Sequence, residues 1–168
     1  MESYGQAKLN GENACFKYKD HFKVSVIRPR TILGHGRLGI FQILFEWIYQ
    51  NQNVPVFDNG HNIYQFIHSD DLADACIACI REAKEGIFNI GTDRYGTMRE
   101  TLESLIKYSD KNSRVKSLSS KLIIPMMTVT SKIGISPLGP YHAMMYGKSM
   151  YFDISKAKSE LGWKPKYS

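Results

Sequence analysis

Residues 66–91 read FIHSDDLADACIACIREAKEGIFNIG, and this stretch decides the fold class. It begins in a segment that we predict to be extended, Ile63 to Ile67, after which Ser69 is a good helix N-cap. Two aspartates follow, where carboxylates complement the positive end of the helix dipole. The predicted helix runs to about Ala83, and its inward face has apolar residues at helical spacing, namely Leu72, Ala75, Cys76, Cys79 and Ile80. Glycines bracket the next strand, Gly86 to Gly91, and this succession of strand and helix is typical of an α/β fold.

Helices alternate with short β-branched segments along the rest of the chain as well. The predicted helices cover about residues 3–19, Ile40 to Ile48, a helix capped by Thr97 that runs to Ser109, residues 121–135, and Ser155 to Leu161 before Gly162. The first of them has Ala7, Ala14 and Cys15 on one side. The predicted strands cover Val24 to Ile27, which Pro29 stops, then Val54 to Phe57, and Val115 to Leu118. Turns are predicted at residues 58–60 and 136–140.

The composition is that of an ordinary soluble domain. The chain has 168 residues and contains no apolar run of the length that crosses a membrane, and its N-terminus lacks the pattern of a secretory signal. Its three cysteines are too few and too odd in number for a disulfide framework, so a reducing cytoplasm is the expected compartment. The net charge is +6, but the lysines are scattered and do not mark a nucleic-acid groove, so we expect no nucleic-acid partner.

Tyr4 and Lys8 form a Tyr-x-x-x-Lys motif at the start of the chain. Residues at this spacing lie one above the other on a helix face, where an ammonium group favours ionisation of a neighbouring phenol. Such a phenol can exchange a proton with an alcohol oxygen while a nicotinamide exchanges hydride. The motif is short, so a solvent-exposed helix face without any catalytic role is the alternative interpretation.

Four stretches resemble the extended short-chain dehydrogenase/reductases, the group that contains NAD-dependent sugar epimerases and dehydratases. They are residues 4–8 (YGQAK), 27–34 (IRPRTILG), 66–75 (FIHSDDLADA) and 152–165 (FDISKAKSELGWKP). The resemblance covers essentially the whole chain. It implies an α/β fold that is the C-terminal half of a Rossmann-like enzyme, with the end of the parallel sheet and a small α/β substrate lobe. Residues 1–168 are then expected to be a single partial domain.

The resemblance also implies roles for individual residues. Tyr4 matches the general acid/base, Lys8 the residue that binds the nicotinamide ribose and keeps the tyrosine acidic, and Pro29 a backbone position against the nicotinamide. The implied substrate-binding positions are Thr31, the segment from Gly36 through Leu38 to Phe41, and Val56 and Phe57 beside a nucleotide base. Two alternatives stay open: Phe57 is core or pocket, and Arg28 and Arg30 either contact the cofactor or form structural pairs. Trp163 is expected to pack and close the small lobe.

The chain departs from the family pattern at two positions where relatives bind the diphosphate of a nucleotide sugar. Family members acting on nucleotide diphosphate sugars usually carry an arginine where this chain has Tyr64, which we count among the substrate-binding positions. A second arginine is common where this chain has Ala143-Met144-Met145, and Lys148 compensates only as a point charge. An arginine fork bonds two phosphate oxygens at once, and neither tyrosine nor methionine does so.

Three further motifs are set aside. His68 to Asp71 cannot form a hydrolase triad, because a triad converges from separated positions. Cys76 and Cys79 have zinc-like spacing without a second pair, and we predict no metal. Gly34, Gly36 and Gly39 have Gly-x-Gly-x-x-Gly spacing, but the family match assigns this loop to the substrate.

The sequence therefore predicts a fragment of an NAD(P)-dependent epimerase, dehydratase or reductase acting on a sugar-like substrate, a class that includes nucleotide sugars. The family's Gly-rich dinucleotide turn and its catalytic serine or threonine belong before Tyr4, so the isolated chain is expected to be inactive and to use NAD or NADP only in a complete enzyme. A homodimer through the Tyr4 helix is implied. The alternative is a non-enzymatic interaction module, a degenerate relative that retains the substrate lobe, and a weaker one is a nucleic-acid binder.

Overall fold

The computed structural model describes residues 3–36, 41–122, 125 and 146–167. Within these residues the helices are α1 (Ser3–Phe16), α2 (Phe41–Tyr49), α3 (Ser69–Glu82), α4 (Met98–Ser109) and α5 (Ser155–Leu161). The strands are β1 (Ser25–Pro29), β2 (Thr31–Leu33), β3 (Val54–Phe57), β4 (Ile63–Tyr64), β5 (Phe66–His68), β6 (Gly86–Ile90), β7 (Gly96–Thr97) and β8 (Val115–Leu118). Helices and parallel strand pairs alternate along the chain, so the α/β fold class is confirmed. The helix predicted at residues 121–135 and the loop at 136–140 lie almost wholly outside the described residues.

The chain divides into two compact units. The first contains the described parts of residues 1–35, 66–93 and 152–168, and the second those of residues 36–65 and 94–151. The single partial domain expected for residues 1–168 concerns a longer protein and stays a prediction.

Parallel strand pairs organise the first unit. β1 pairs with β6 and β2 pairs with β5. The sequence predicted that Pro29 stops the strand, and β2 was missed. Proline lacks an N–H and so interrupts the ladder at one position. The next amide, Arg30 N, donates to Ile90 O at 2.9 Å, so the chain stays extended into β2.

The core of the first unit lies between these two strand pairs and the helices α3 and α5. Its buried members are Ile67, Ala75, Cys79, Phe88, Ile90, Ile154, Ala157, Leu161 and Trp163. The predicted inward face of α3 is correct for Ala75 and Cys79 and wrong for Cys76 and Ile80, since Cys76 is exposed and Ile80 is 80% exposed. Trp163 packs as predicted, but it packs here beside α3 and not in the second unit, because its indole Nε1 donates to Asp71 O at 3.0 Å.

Capping side chains and a glycine define the ends of the helices. The cap of α3 is His68 and not Ser69 as predicted: His68 Nδ1 accepts from Asp70 N at 3.2 Å, and Ser69 is already helical. Thr97 caps α4 as predicted, in a capping box with Glu100. The backbone hydrogen bond from Thr97 lowers the pKa of the Glu100 carboxyl. α5 ends at Gly162, whose φ of 59° is the left-handed conformation that glycine adopts without strain.

The second unit packs α2 and α4 with β3 and β8. These strands are parallel, and a short antiparallel pair joins β4 and β7. Arg99 on α4 fixes this arrangement: its Nε donates to Asn59 O at 2.8 Å and its guanidinium also donates to Ser117 Oγ at 2.8 Å. The buried side chains of α2 are Phe41, Leu44 and Ile48.

Candidate functional site

Tyr4 and Lys8 lie together on α1, as the helical spacing predicts. The Lys8 Nζ atom is 5.6 Å from the centroid of the Tyr4 ring. Tyr4 is 65% exposed and Lys8 is exposed, so both polar groups are accessible to a ligand. An accessible phenol and an accessible ammonium on one helix face are chemically suited to hold a ribose diol or to exchange a proton with an alcohol.

Arg28 braces α1 against β1. Its Nε donates to Glu12 Oε1 at 3.0 Å, and its second guanidinium nitrogen donates to Glu12 Oε2, which makes a two-point ion pair. The hydrogen bond from Arg28 lowers the pKa of the Glu12 carboxyl, with a smaller contribution from Coulomb attraction. Of the two alternatives for Arg28, the structure shows the structural pair. The Arg30 guanidinium lies 5.1 Å from the centroid of the Phe152 ring.

The two other predicted residues of the first unit lie on consecutive strands that belong to separate parallel ladders. Pro29 ends β1 in register with Ile90, and Thr31 begins β2 in register with Phe66. Both are half-buried. Each parallel ladder therefore fixes the backbone position of its residue, while both side chains remain partly accessible to solvent.

The remaining predicted substrate positions fall in the second unit. Phe41 and Tyr64 are buried and in contact, with ring centroids 5.5 Å apart. Val56 and Phe57 are buried as well, so the structure places Phe57 among core residues. Gly36 is exposed, with φ at 70°, and Leu38 lies outside the described residues.

Sequence reasoning missed Tyr146, which holds the end of β3. Its ring meets Phe57 edge to face at 5.3 Å, and its hydroxyl donates to Pro55 O at 2.9 Å. Burial raises the pKa of the Tyr146 hydroxyl, so it stays a neutral donor. The next residue, Gly147, lies close to the Phe57 ring, because a Cβ at that position would be 3.0 Å from Phe57 Cδ2. No local sequence motif predicts this contact, because Tyr146 and Pro55 are 91 residues apart.

The diphosphate positions remain without an arginine among the described residues. Tyr64, at the first position, is buried against Phe41. Ala143, Met144 and Met145, at the second, lie outside the described residues. Lys148 is exposed and is a chemically suitable point charge for phosphate.

The motifs that were set aside have structural roles where they are described. His68 caps α3 and stacks on Tyr167 with ring centroids 4.1 Å apart. Gly34 lets its loop approach α3, because a Cβ there would lie 2.0 Å from Ser69 Oγ. Within residues 3–36, 41–122, 125 and 146–167, no three His, Cys, Asp or Glu side chains are grouped to hold a metal ion. The same residues include no helix long and apolar enough to span a membrane.

Relatives that match nearly the full length of this chain are about twice as long. An uncharacterised protein of Sinorhizobium fredii is 49% identical over 169 residues, which cover 99% of this chain and 43% of that protein. UDP-glucuronate 4-epimerase of Thermodesulfobacterium geofontis is 25% identical, over 100% of this chain and 47% of the enzyme. The chain therefore spans about half the length of these relatives.

The fold of this chain is similar to that of a solved epimerase structure. UDP-glucuronic acid 4-epimerase from Bacillus cereus, solved in complex with NAD, superposes with a TM-score of 0.72 at 22% identity. The superposition covers 100% of this chain and 48% of that one. At the level of sequence, the profile of the NAD dependent epimerase/dehydratase family matches residues 1–91, more than half of the chain. The chain belongs to the NAD-dependent epimerase/dehydratase family.

Proposed function

We propose that this chain supplies the catalytic helix and the substrate lobe of an NAD-dependent epimerase or dehydratase that acts on a nucleotide sugar. The observation that carries the proposal is the contact between Tyr4 and Lys8 on α1, at 5.6 Å, inside the segment that matches the family. Residues 1–168 then form one partial domain of a longer enzyme, in agreement with the half-length coverage of the relatives. The isolated chain is inactive in this proposal.

Tyr4 is the general acid/base. Its phenolate oxygen accepts the proton of a substrate hydroxyl while the carbon that carries this hydroxyl loses a hydride. Tyr4 returns the proton when a hydride is returned to that carbon. Lys8 stabilises the phenolate by its charge and holds the ribose of the cofactor. NAD, when bound, supplies the hydride acceptor. The residues present fit that group, since an exposed phenol and an exposed ammonium side by side match the donors and acceptors of a ribose diol.

The other predicted residues position the reactants. The Pro29 backbone would border the nicotinamide, and Thr31 would face the substrate. Gly36, Leu38, Phe41 and Tyr64 border the sugar nucleotide in this proposal, and the segment of Val56 and Phe57 lies beside its base with both side chains buried among core residues. A UDP-sugar is the proposed substrate class because a UDP-glucuronate epimerase is among the relatives. A homodimer through α1 and a cytoplasmic location complete the proposal.

The test replaces the matched stretch of the Sinorhizobium fredii relative with residues 1–168. The intact relative serves as the positive control for each measurement. We expect the hybrid to retain NAD and to interconvert UDP-glucose or UDP-glucuronate with its 4-epimer, followed by NMR. We expect calorimetry to detect no micromolar NAD binding by residues 1–168 alone. Failure of the hybrid to bind NAD or to convert either sugar, where the intact relative does both, would contradict the proposal.

Tyr4→Phe in the hybrid isolates the acid/base role. Loss of the hydroxyl should lower kcat by about 10²–10⁴-fold while NAD stays bound. Tyr49→Phe is the matched control, because Lys111 Nζ lies 4.8 Å from the Tyr49 ring centroid, the same kind of cation–ring contact at the end of α2. Equal turnover by the Tyr4→Phe and Tyr49→Phe hybrids would exclude Tyr4 as the acid/base. A hybrid that binds NAD without turning over any sugar nucleotide would favour a non-enzymatic interaction module.

A further inference from the structure

The turn after α1 exposes two aromatic rings among lysines. Tyr18 is 54% exposed and Phe22 is 56% exposed. Their rings stack, with centroids 5.9 Å apart and planes inclined by 7°. Single exposed apolar side chains are common, but a stacked pair forms a continuous apolar patch. The neighbouring side chains Lys17, Lys19 and Lys23 are all exposed.

The backbone holds this turn in shape. Tyr18 N donates to Cys15 O at 3.0 Å, which continues the end of α1. Tyr18 O then accepts from His21 N at 2.9 Å and from Phe22 N at 3.2 Å. These bonds place Tyr18 and Phe22 one helical turn apart on the same side. Because these hydrogen bonds already fix the backbone of the turn, less backbone entropy remains to be lost when it binds.

We propose that residues 17–23 form a contact site for a membrane surface that carries anionic lipids. The two rings would enter the headgroup region, where aromatic side chains are favoured, and the lysines would face the anionic lipid groups. Charge supports this partner: Asp20 is the only acid within the segment, and the chain carries a net charge of +6. Surface contact of this kind needs no membrane-spanning helix.

A bilayer fits this turn better than a nucleic acid does. Proteins that bind single strands offer open aromatic faces along a basic groove, so that successive bases can stack. Here the described stacked aromatic pair is a single one, Tyr18 and Phe22, and it lies in a turn rather than along a groove. Insertion into a headgroup layer requires only an exposed apolar patch flanked by cations.

The expected binding is weak and depends on salt. Each lysine at an anionic surface strengthens binding by roughly fivefold, and mobile ions screen that attraction. One turn with a few lysines is therefore expected to give weak, reversible attachment.

The experiment sediments residues 1–168 with phosphatidylcholine vesicles that contain or lack phosphatidylserine. We expect the chain to pellet with the phosphatidylserine vesicles at low salt, and to be released at high salt. Lys17→Glu/Lys19→Glu and, separately, Tyr18→Ser/Phe22→Ser should each reduce binding by more than about tenfold. The matched control is Lys107→Glu/Tyr108→Ser, an exposed lysine and a 90% exposed tyrosine on α4, which should bind like the unmodified chain.

Several results would overturn the proposal. They are equal binding to both kinds of vesicle, no binding at low salt, and equal losses in the α4 control and in the turn variants. Binding to single-stranded nucleic acid that the turn variants abolish, without vesicle binding, would assign the turn to a different partner. Circular dichroism of each variant separates loss of binding from loss of fold.

Discussion

Helices α1 and α3 have the same length and lie in the same unit, but they relate to the core in opposite ways. Each has 14 residues. α3 buries Asp71, Ala75 and Cys79, whereas the described side chains of α1 are exposed apart from the half-buried Glu12 and Phe16. The helix with the proposed chemistry is thus the one with little packing of its own.

The comparison indicates that α3 contributes to the stability of the fold, whereas α1 carries the proposed catalytic residues. A helix of this length is marginal in water unless tertiary packing supports it. α3 receives that support and also has complementary charges at its ends, Asp70 and Asp71 in the first turn and Arg81 in the last. α1 has no acid in its first turn and no base in its last. Substitutions on α3 should therefore change the free energy of unfolding, and matched ones on α1 should not.

The largest effect on stability is expected at Asp71. This buried carboxylate accepts from Lys166 N at 2.9 Å and from Tyr167 N at 3.0 Å, and so ties the C-terminal segment to α3. Asp71→Ala leaves both amides without that partner and should cost about 3 kcal/mol of unfolding free energy. The Trp163 bond to the Asp71 carbonyl is unaffected, since it uses the backbone. Urea unfolding followed by tryptophan fluorescence measures the loss.

Asp74→Ala is the control for that measurement. Asp74 also contacts Lys166, but through an exposed ion pair with its ammonium group. Exposed pairs contribute less than about 1 kcal/mol, so this variant should be nearly as stable as the unmodified chain. Similar losses at Asp71 and Asp74 would show that the charge at this end of α3 matters and the buried bonds do not.

A pair of identical substitutions tests the two helices directly. Ala75 on α3 is fully buried and Ala7 on α1 is exposed. Ala75→Leu forces extra methyl groups into a packed core and should cost about 1–3 kcal/mol. Ala7→Leu should change the stability of the isolated chain by less than about 0.5 kcal/mol, because the Ala7 side chain is exposed. A destabilising Ala7→Leu would mean that α1 is covered in solution, as in the proposed homodimer, and its dependence on protein concentration would reveal this.

Local patterns were sufficient to predict elements and one contact of the candidate site. Helical spacing correctly predicts that Tyr4 and Lys8 meet, because the geometry of one helix decides it. The same reasoning correctly places Ala75 and Cys79 on the inner face of α3. Periodicity also assigned Ile80 to that face, and this was wrong, since the width of the buried stripe depends on which elements cover the helix.

Contacts between distant segments could not be predicted. Asp71 reads as an ordinary charge in the first turn of a helix, and it is buried because a segment 95 residues away folds over it. Tyr146 meets Pro55 across a similar separation. β2 was missed because proline was expected to end the strand, whereas parallel pairing with β5 keeps the chain extended. Each of these features depends on tertiary pairing, which sequence periodicity does not encode.

The smallest predicted effect concerns the ion pair that braces α1. Arg28 lowers the pKa of Glu12, so the pair stabilises the fold above the pKa of an unfolded glutamate, about 4.3, and this contribution is lost as pH falls through the lower folded pKa. A double-mutant cycle with Glu12→Gln and Arg28→Met should give a coupling free energy of about 0.5–1 kcal/mol at neutral pH, since the arginine is partly exposed. The coupling should decrease steadily as the pH is lowered through the acidic range. A coupling that stays constant in acid would contradict the charge-based brace.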